Sequence, residues 1–194
     1  KLNLFLHVVR RRPDGYHELQ TAFQFIDLSD SIHFCQRPPG VIERIGGIPG
    51  VAAEDDLVVR AARCLGAAAA EAGVPLRQGV AIEVEKRLPM GGGVGGGSSD
   101  AATVLVALNE LWEIGFGVES LAEIGLGLGA DVPVFVHGRA AWAEGVGERL
   151  EPVDFPEPVY LLLQPDVSIS TAEVFKAPEL TRDSTVITIA GFLQ

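Results

Sequence analysis

The sequence predicts a fold of the α+β class. Strand-like alternation dominates roughly the first 35 residues, whereas helical spacing of apolar residues occupies the middle of the chain. A regular series of β-α-β units would mix the two patterns along the whole length, so such a series is disfavoured. The chain has 194 residues, of which 47% are hydrophobic, and this allows one well-packed domain, or one domain and part of a second.

The strand predictions rest mainly on alternation. Residues 1–9 alternate with a period of two, which is typical of a half-buried strand, and Lys1 and Asn3 fall on the same face. Pro13-Asp14-Gly15 predicts a turn. Further strands are expected within residues 23–35, on either side of a turn at 29–31, and the Gly- and Pro-rich residues 38–50 predict a loop or hairpin.

The helix predictions follow from capping and spacing. Glu54-Asp55-Asp56 precedes an apolar stripe and predicts a helix start there. Residues 98–112 and 120–128 are expected to be helices, and residues 80–84 and 140–144 strands. Residues 159–163 form a continuous apolar run, which predicts a buried strand.

Composition limits the classes of partner. The chain has 15 Lys and Arg against 26 Asp and Glu, a formal net charge of −11, which disfavours binding to extended nucleic acid. No apolar run is long enough to span a bilayer and no signal peptide is visible. Cys35 and Cys64 lack metal-site spacing, so a reduced, cytoplasmic compartment is expected. The absence of an initiator Met and the abrupt end suggest part of a longer protein.

The most informative segment is rich in glycine and leads directly into a predicted helix. It consists of Pro89, Met90, Gly91, Gly92, Gly93, Val94, Gly95, Gly96, Gly97, Ser98 and Ser99. Glycines allow a ligand to approach backbone N–H groups closely, and a helix N-terminus adds unpaired amides and partial positive charge. This glycine tract therefore predicts a phosphate site to which Ser98 and Ser99 donate hydrogen bonds, rather than a flexible linker.

Neither standard phosphate loop fits the glycine tract. A P-loop would need a Lys after Gly97, and none is present. A dinucleotide-binding unit needs a second parallel strand that ends in an acid about 20 residues further on, and residues 114–118 do not form a convincing strand. An NAD-binding domain is therefore a weak alternative.

The tract does resemble the signature of the GHMP small-molecule kinases. Three other segments resemble the same family: Lys1-Leu2-Asn3-Leu4-Phe5-Leu6, Pro13-Asp14-Gly15-Tyr16-His17 and Gly129-Ala130-Asp131-Val132-Pro133-Val134-Phe135. The resemblance extends to about residue 180. It implies a GHMP kinase N-terminal domain, of the ribosomal protein S5 domain 2-like type, over residues 1–155. Residues 156–194 would then begin a C-terminal ferredoxin-like domain that is largely absent, together with its glycine-rich motif.

The resemblance also implies an activity. It points to a branch of the family that uses ATP and Mg²⁺ to phosphorylate the 2-hydroxyl of a cytidyl diphosphate polyol in non-mevalonate isoprenoid synthesis. Ser99 is a candidate contact for the metal, for which the sequence shows no ligand cluster. The expected partner is this small molecule, with no nucleic acid and no membrane, and the protein is expected to be a monomer or homodimer.

The family implies roles for two charged residues. Asp131 would take the proton from the substrate hydroxyl, and Lys1 would orient its carboxylate and favour the incipient alkoxide. From the local sequence alone, Asp131 is more simply a surface residue that caps a turn, and Lys1 a solvated lysine. The resemblance reverses that preference.

The family likewise implies a set of substrate-binding residues. Tyr16 and Phe175 would stack on the cytosine ring and His17 would bind its edge. Phe23, which alone would be assigned to the core, would belong to the same cluster, and Asn3 and Thr171 would add polar contacts.

Two residues have two interpretations each, and two other functions are compatible with the sequence. Lys86 could reach a phosphate or could be a solvated strand residue, and Asp56 is most simply a helix N-cap, although the family places this position near adenine. The alternatives are another GHMP kinase, acting on homoserine, mevalonate or a sugar, and a non-catalytic nucleotide-binding module.

Overall fold

The computed structural model describes residues 1–47, 50–165 and 171–193. These contain β1 (Leu2–Arg11), β2 (His17–Gln24), β3 (Ser31–Arg37), β4 (Ile42–Ile45), α1 (Leu57–Glu71), β5 (Gly79–Glu85), α2 (Gly96–Leu111), α3 (Val118–Leu126), α4 (Val132–His137), β6 (Ala141–Gly145), β7 (Arg149–Pro152), α5 (Thr171–Lys176) and α6 (Ile189–Phe192). The mixture of helices and strands confirms the α+β class. Among the described residues, no helix has both the length and the apolar character needed to cross a membrane.

The chain divides into two compact units. The first combines Lys1–Asp27, Pro89–Val94 and Arg139–Gln194, and the second combines Leu28–Leu88 and Gly95–Gly138. The glycine tract contains the point, between residues 94 and 95, at which the chain passes from the first unit to the second.

The first unit is built on a four-stranded antiparallel sheet in the order β1-β2-β6-β7. Strands β1 and β6 confirm the sequence prediction, whereas most of β2 and all of β7 were not predicted. Most of strand β2 was not predicted because it lacks apolar alternation. Its polar side chains can be buried because they find hydrogen-bond partners inside the unit. Gln20, for example, is buried, donates to Glu144 Oε1 at 2.9 Å and accepts from the backbone nitrogen of Ile187 at 3.0 Å.

One face of this sheet carries a small aromatic core. Trp142 of β6 lies 5.1 Å from Phe5 of β1, measured between ring centroids, and Phe192 of α6 lies 5.0 Å from Phe5. Phe155 packs edge-on against Phe192 at 5.8 Å. Residues near the end of the chain therefore complete the core of the first unit.

The predicted buried strand at residues 159–163 is wrong. The structure contains no strand there, and the side chains of Val159, Leu161 and Leu163 are 101%, 84% and 83% exposed. An apolar run forms a buried strand only when a neighbouring strand pairs with its backbone and other side chains cover it. No other described part of the chain does so.

The second unit contains a three-stranded sheet in the order β3-β5-β4. Strand β3 pairs antiparallel with β5, whereas β4 pairs parallel with it. Strand β4 lies within the predicted loop or hairpin at 38–50, of which residues 48 and 49 lie outside the described residues. Close packing at Gly79 allows this pairing, because a Cβ there would lie 2.2 Å from the carbonyl oxygen of Val41.

Helices α1 to α4 form the main core of the molecule together with this sheet. The largest fully buried side chains in that core are Leu65, Ile82, Leu105, Leu108, Val58, Val59, Val104 and Val132. Helices α1, α2 and α3 confirm the predictions. Helix α4 was not predicted, because Pro133 follows Asp131 so closely, yet proline is well tolerated in the first turn of a helix.

Candidate active site

The glycine tract ends at the N-terminus of helix α2, where Gly95 is the N-cap. Gly95 has a φ of +77°, a left-handed conformation that favours glycine. The backbone nitrogen of Ser99 donates to the carbonyl oxygen of Gly95 at 2.9 Å, so the N–H groups of residues 96–98 precede the hydrogen bonds of the helix. Because glycine has no side chain with which to cap them, this helix end is suited to an anion.

The residues around this helix end are small or partly accessible. Ser98 and Ser99 are half-buried, Gly96 is buried and Gly97 is exposed. A Cβ on Gly96 would lie 3.2 Å from the Cβ of Leu88, so a larger residue would disturb the packing beneath the helix start. The predicted phosphate donors, Ser98 and Ser99, lie in the first turn of α2, and their role toward phosphate stays a prediction.

The first part of the tract lies in the first unit. The side chain of Met90 is exposed and that of Val94 is buried, and the backbone nitrogen of Gly92 donates to the carbonyl oxygen of Pro89 at 3.4 Å. The carbonyl oxygen of Val94 accepts from the backbone nitrogen of Lys1 at 2.9 Å. Lys1 is thus directly bonded to the glycine tract.

A buried charge cluster supports the start of helix α2 from within the second unit. Lys86 Nζ donates to Asp30 Oδ2 at 2.5 Å and to Asp100 Oδ2 at 2.8 Å. The other carboxylate oxygen of Asp30 accepts from the backbone nitrogens of Arg87 at 2.5 Å and Leu88 at 2.8 Å. The cluster therefore ties together the end of β5, the segment that enters the tract, and the first turns of α2.

Burial and hydrogen bonding set the charge of this cluster. Burial raises the pKa of Asp100 to about 6, although the hydrogen bond from Lys86 opposes the shift. Burial also acts to raise the pKa of Asp30, but the hydrogen bonds from Leu88, Lys86 and Arg87 outweigh it, and the pKa lies below its ordinary value. Burial acts to lower the pKa of Lys86, whereas its two carboxylate partners raise it above the ordinary value. Lys86 and Asp30 are thus charged at neutral pH, and Asp100 is the group nearest to titration.

The structure brings three of the predicted site residues together at the beginning of the first unit. Lys1 Nζ donates to Asn3 Oδ1 at 2.6 Å and lies 5.0 Å from the centroid of the Phe23 ring. Asn3 in turn donates to Thr21 Oγ1 at 2.9 Å. Lys1 and Phe23 are both buried, so the lysine is not the solvated terminal residue that the local sequence suggests.

Asp131 occupies the N-cap of helix α4 and is half-buried. No hydrogen bond from its side chain caps that helix. Its backbone is held in a tight turn, because the nitrogen of Val132 donates to the carbonyl oxygen of Gly129 at 3.0 Å. The catalytic roles of Asp131 and Lys1 stay predictions.

Two of the predicted base-binding residues also lie together. The rings of His17 and Phe175 are stacked with their centroids 5.1 Å apart and an interplanar angle of 29°. Tyr16 precedes β2, with its side chain 64% exposed, and Thr171 is the exposed first residue of α5. The structure therefore pairs His17 with Phe175, and the roles of all four residues toward a base stay predictions.

Sequence reasoning assigned no role to Asp30, Asp100 or Arg182, each of which contacts a residue of the candidate site. The sequence does contain a signal for Asp100, which is followed by Ala101-Ala102 in the predicted helix. An acid that is buried in such a helix must have a partner. Asp30 was interpreted only as part of a turn. Arg182 lies in a segment without any recognisable pattern.

Comparisons with known proteins identify the family. A family profile described as the GHMP kinases N terminal domain matches residues 56–139. The chain is 59% identical to a 4-diphosphocytidyl-2-C-methyl-D-erythritol kinase of Nitrosococcus oceani, over 100% of this chain and 67% of that protein. It is 64% identical to the protein of the same name from Halorhodospira halophila, over 97% of this chain and 65% of that protein.

Solved structures give the same result. A crystal structure of a 4-(cytidine 5'-diphospho)-2C-methyl-D-erythritol kinase superimposes with a TM-score of 0.74 and 40% identity, over 92% of this chain and 62% of that one. A homoserine kinase from Cytophaga hutchinsonii, at 17% identity and a TM-score of 0.57, shares the fold alone. The chain spans about two thirds of the length of these curated relatives. It belongs to the GHMP family of small-molecule kinases, in the branch of the 4-diphosphocytidyl-2-C-methyl-D-erythritol kinases.

Proposed function

We propose that the full-length protein containing this chain transfers a phosphoryl group from ATP to the 2-hydroxyl of 4-diphosphocytidyl-2-C-methyl-D-erythritol, in the synthesis of isoprenoid precursors. The observation that carries the substrate assignment is the stacked pair of His17 and Phe175, aromatic rings of the kind on which a base stacks. The names of the relatives at 57–64% identity support it. We further propose that the protein is cytoplasmic, that it is a monomer or homodimer, and that it binds no nucleic acid, which its net charge of −11 supports.

ATP fits the residues at the N-terminus of α2. The amides of residues 96–98 and the hydroxyls of Ser98 and Ser99 would hold its phosphates, because all of them are donors at the positive end of a helix. Mg²⁺, when bound, would neutralise charge on those phosphates, and Ser99 is the side chain proposed to contact it. Among the described residues, no group of three or more His, Cys, Asp or Glu could hold a metal ion, so we propose that phosphate oxygens supply most of its ligands.

Asp131 and Lys1 are the proposed catalytic pair. Asp131 would accept the proton of the substrate hydroxyl as it attacks. Lys1 would stabilise the developing negative charge on the attacking oxygen. Its ammonium is held by Asn3 and lies over the Phe23 ring, which limits its motion. Most of the acceleration would come from positioning and from stabilisation of charge on the phosphoryl group.

The remaining proposed contacts concern the acceptor substrate. Phe175 and Tyr16 would stack on the cytosine, His17 would bind its edge, and Asn3, Phe23 and Thr171 would complete the site. We also propose that residues 156–194 begin the second domain of the full-length protein. The exposure of Val159, Leu161 and Leu163 supports this, because a further layer of protein would cover them.

The decisive experiment uses full-length protein that carries Asp131→Asn. We expect turnover to fall about 10²- to 10⁴-fold, because a general base is lost, with ATP affinity nearly unchanged. Asp154→Asn is the matched control, since the side chain of Asp154 is fully exposed and its ion pair to Arg139 is long, at 3.8 Å. ADP release is measured with the cytidyl substrate, homoserine and mevalonate. Activity confined to homoserine or mevalonate would contradict the proposed substrate, and wild-type turnover in Asp131→Asn would exclude the proposed base.

A further inference from the structure

Arg182 lies between α5 and α6 and is bonded on every side to one small region of the first unit. Its Nε donates to His17 Nε2 at 3.3 Å. Its Nη1 donates to the carbonyl oxygen of Leu180 at 2.9 Å, and its Nη2 donates to those of Phe175 at 2.9 Å and Ala177 at 2.8 Å. One guanidinium therefore holds the His17 ring and the backbone that carries Phe175 in a fixed relation.

The bond from Arg182 determines which nitrogen of His17 carries a proton. A ring nitrogen that accepts a hydrogen bond must be unprotonated, so Nε2 is the acceptor and Nδ1 carries the proton of the neutral ring. Burial lowers the pKa of His17, and the positive charges of Arg182 and Arg11 lower it further. Burial and both positive charges lower the pKa, so they favour the neutral imidazole of His17. In that neutral ring Nδ1 carries the proton and is the hydrogen-bond donor.

The contacts of Arg182 to α5 fix the second ring of the pair. Phe175 lies in the last turn of α5, and the carbonyl groups at the C-terminal end of a helix attract a cation. The positive guanidinium satisfies two of these carbonyls while it bonds to His17. Loss of Arg182 would therefore affect both the orientation of the stacked rings and the tautomer of His17.

We propose that Arg182 is a positioning residue that fixes His17 as a donor at Nδ1 and thereby makes the site prefer cytosine over uracil. This inference rests on the proposed function, in which His17 faces the edge of the base. Position 3 of cytosine is a hydrogen-bond acceptor, whereas position 3 of uracil carries a proton and is a donor. A donor on His17 pairs with the first and opposes the second, which costs affinity because two donors face each other without a partner.

The test compares two substrates in the full-length enzyme, 4-diphosphocytidyl-2-C-methyl-D-erythritol and its uridyl analogue. In wild type we expect kcat/KM to favour the cytidyl substrate by at least about tenfold. Arg182→Met should raise KM for the cytidyl substrate, leave KM for ATP nearly unchanged, and bring the ratio of the two kcat/KM values close to one. The matched control is Arg11→Met, because Arg11 acts on His17 by charge and its side chain is exposed. This control should keep the wild-type ratio.

A spectroscopic measurement tests the tautomer directly. Two-bond ¹H–¹⁵N correlation on labelled histidine should show His17 protonated at Nδ1 in wild type, and a mixed or Nε2-protonated ring in Arg182→Met. A wild-type ring protonated at Nε2, or an unchanged substrate ratio in Arg182→Met, would overturn the inference. If only a general structural role existed, both substrates would lose activity equally.

A second pair of variants keeps the inference testable if Arg182→Met does not fold. His17→Asn places an amide nitrogen near the position of Nδ1, and His17→Gln places one near that of Nε2. The asparagine variant should retain preference for cytosine and the glutamine variant should lose it, and the reverse order would overturn the inference. If wild-type enzyme does not phosphorylate the cytidyl substrate at all, the proposed function fails, while the tautomer measurement still decides whether Arg182 fixes His17.

Discussion

The two long helices of the second unit begin in opposite ways. Helix α1 begins at Asp56, whose Oδ1 accepts from the backbone nitrogen of Val58 at 3.1 Å. The other oxygen of that carboxylate accepts from Arg44 at 2.6 Å, and both side chains are buried. The positive end of α1 is therefore neutralised by the protein itself.

Helix α2 begins at Gly95, and its buried acid stands five residues further on. Asp100 accepts from Lys86 and not from the first amides of the helix. The carboxylate of Asp100 is thus held by Lys86 and leaves the start of the helix without a carboxylate cap. The difference is that the start of α1 is capped by a side chain of the protein, whereas the start of α2 has the form of the anion site proposed above.

The largest expected effect is on the charge cluster beneath α2. Lys86→Met leaves the carboxylates of Asp30 and Asp100 buried without a cation, and we expect the free energy of unfolding to fall by about 3–5 kcal/mol. Arg87→Met is the adjacent control, because Arg87 and its partner Glu85 are both mostly exposed, and it should cost no more than about 0.5 kcal/mol. Urea unfolding of the full-length protein measures both. Equal losses would show that the cluster does not support α2.

The next effect concerns pH. The pKa of Asp100 is raised to about 6 from its ordinary value of 3.8, so the folded protein binds a proton more tightly than the unfolded chain. The contribution of this group to stability is therefore fully present below pH 3.8 and is lost as the pH rises through 6. Asp100→Asn should gain stability relative to wild type between pH 4 and pH 7, by up to about 3 kcal/mol. Unfolding curves at several pH values measure this, and a difference that does not change with pH would contradict it.

A smaller effect should follow when α2 is given the kind of cap that α1 has. Gly95→Asp places a carboxylate beside the amides of residues 96–98, and we expect ATP to bind at least about tenfold more weakly, which is about 1.4 kcal/mol. Gly95→Asn is the uncharged control, because asparagine also tolerates the left-handed conformation. Calorimetric titration with ATP measures the affinity. Similar losses in both variants would assign the effect to the backbone and not to charge.

The smallest expected effect distinguishes the two interactions of Asp56, which are the helix cap and the ion pair with Arg44. Asp56→Asn keeps a side-chain oxygen for the nitrogen of Val58, whereas Asp56→Ala removes it, and both break the ion pair with Arg44. We expect the alanine variant to be less stable than the asparagine variant by about 1 kcal/mol. Thermal or urea unfolding provides the comparison. Identical stabilities would mean that the ion pair, and not the cap, accounts for the role of Asp56.

Much of this contrast was predictable from local sequence. An acid before an apolar helical stripe predicted the cap of α1, and a run of glycines before such a stripe predicted a helix start without a side-chain cap, whose role as an anion site stays a prediction. Lys86 could not be placed, because the two carboxylates that hold it are 56 and 14 residues away in the chain. Residues 159–163 show the opposite error, since an apolar run indicates a need for burial but not what will cover it.

The amino-acid sequence by itself determined the α+β class, the positions of three of the helices and the family, because these depend on periodicity, capping and short motifs within a few residues of one another. Only the tertiary structure decided that Lys1 is buried against Asn3 and Phe23, that Lys86 joins Asp30 to Asp100, and that Arg182 holds His17 and Phe175. Each of these depends on hydrogen bonds or ring contacts between distant parts of the chain. Their partners are selected by the need to satisfy a buried charge or polar group, and no local pattern records that selection.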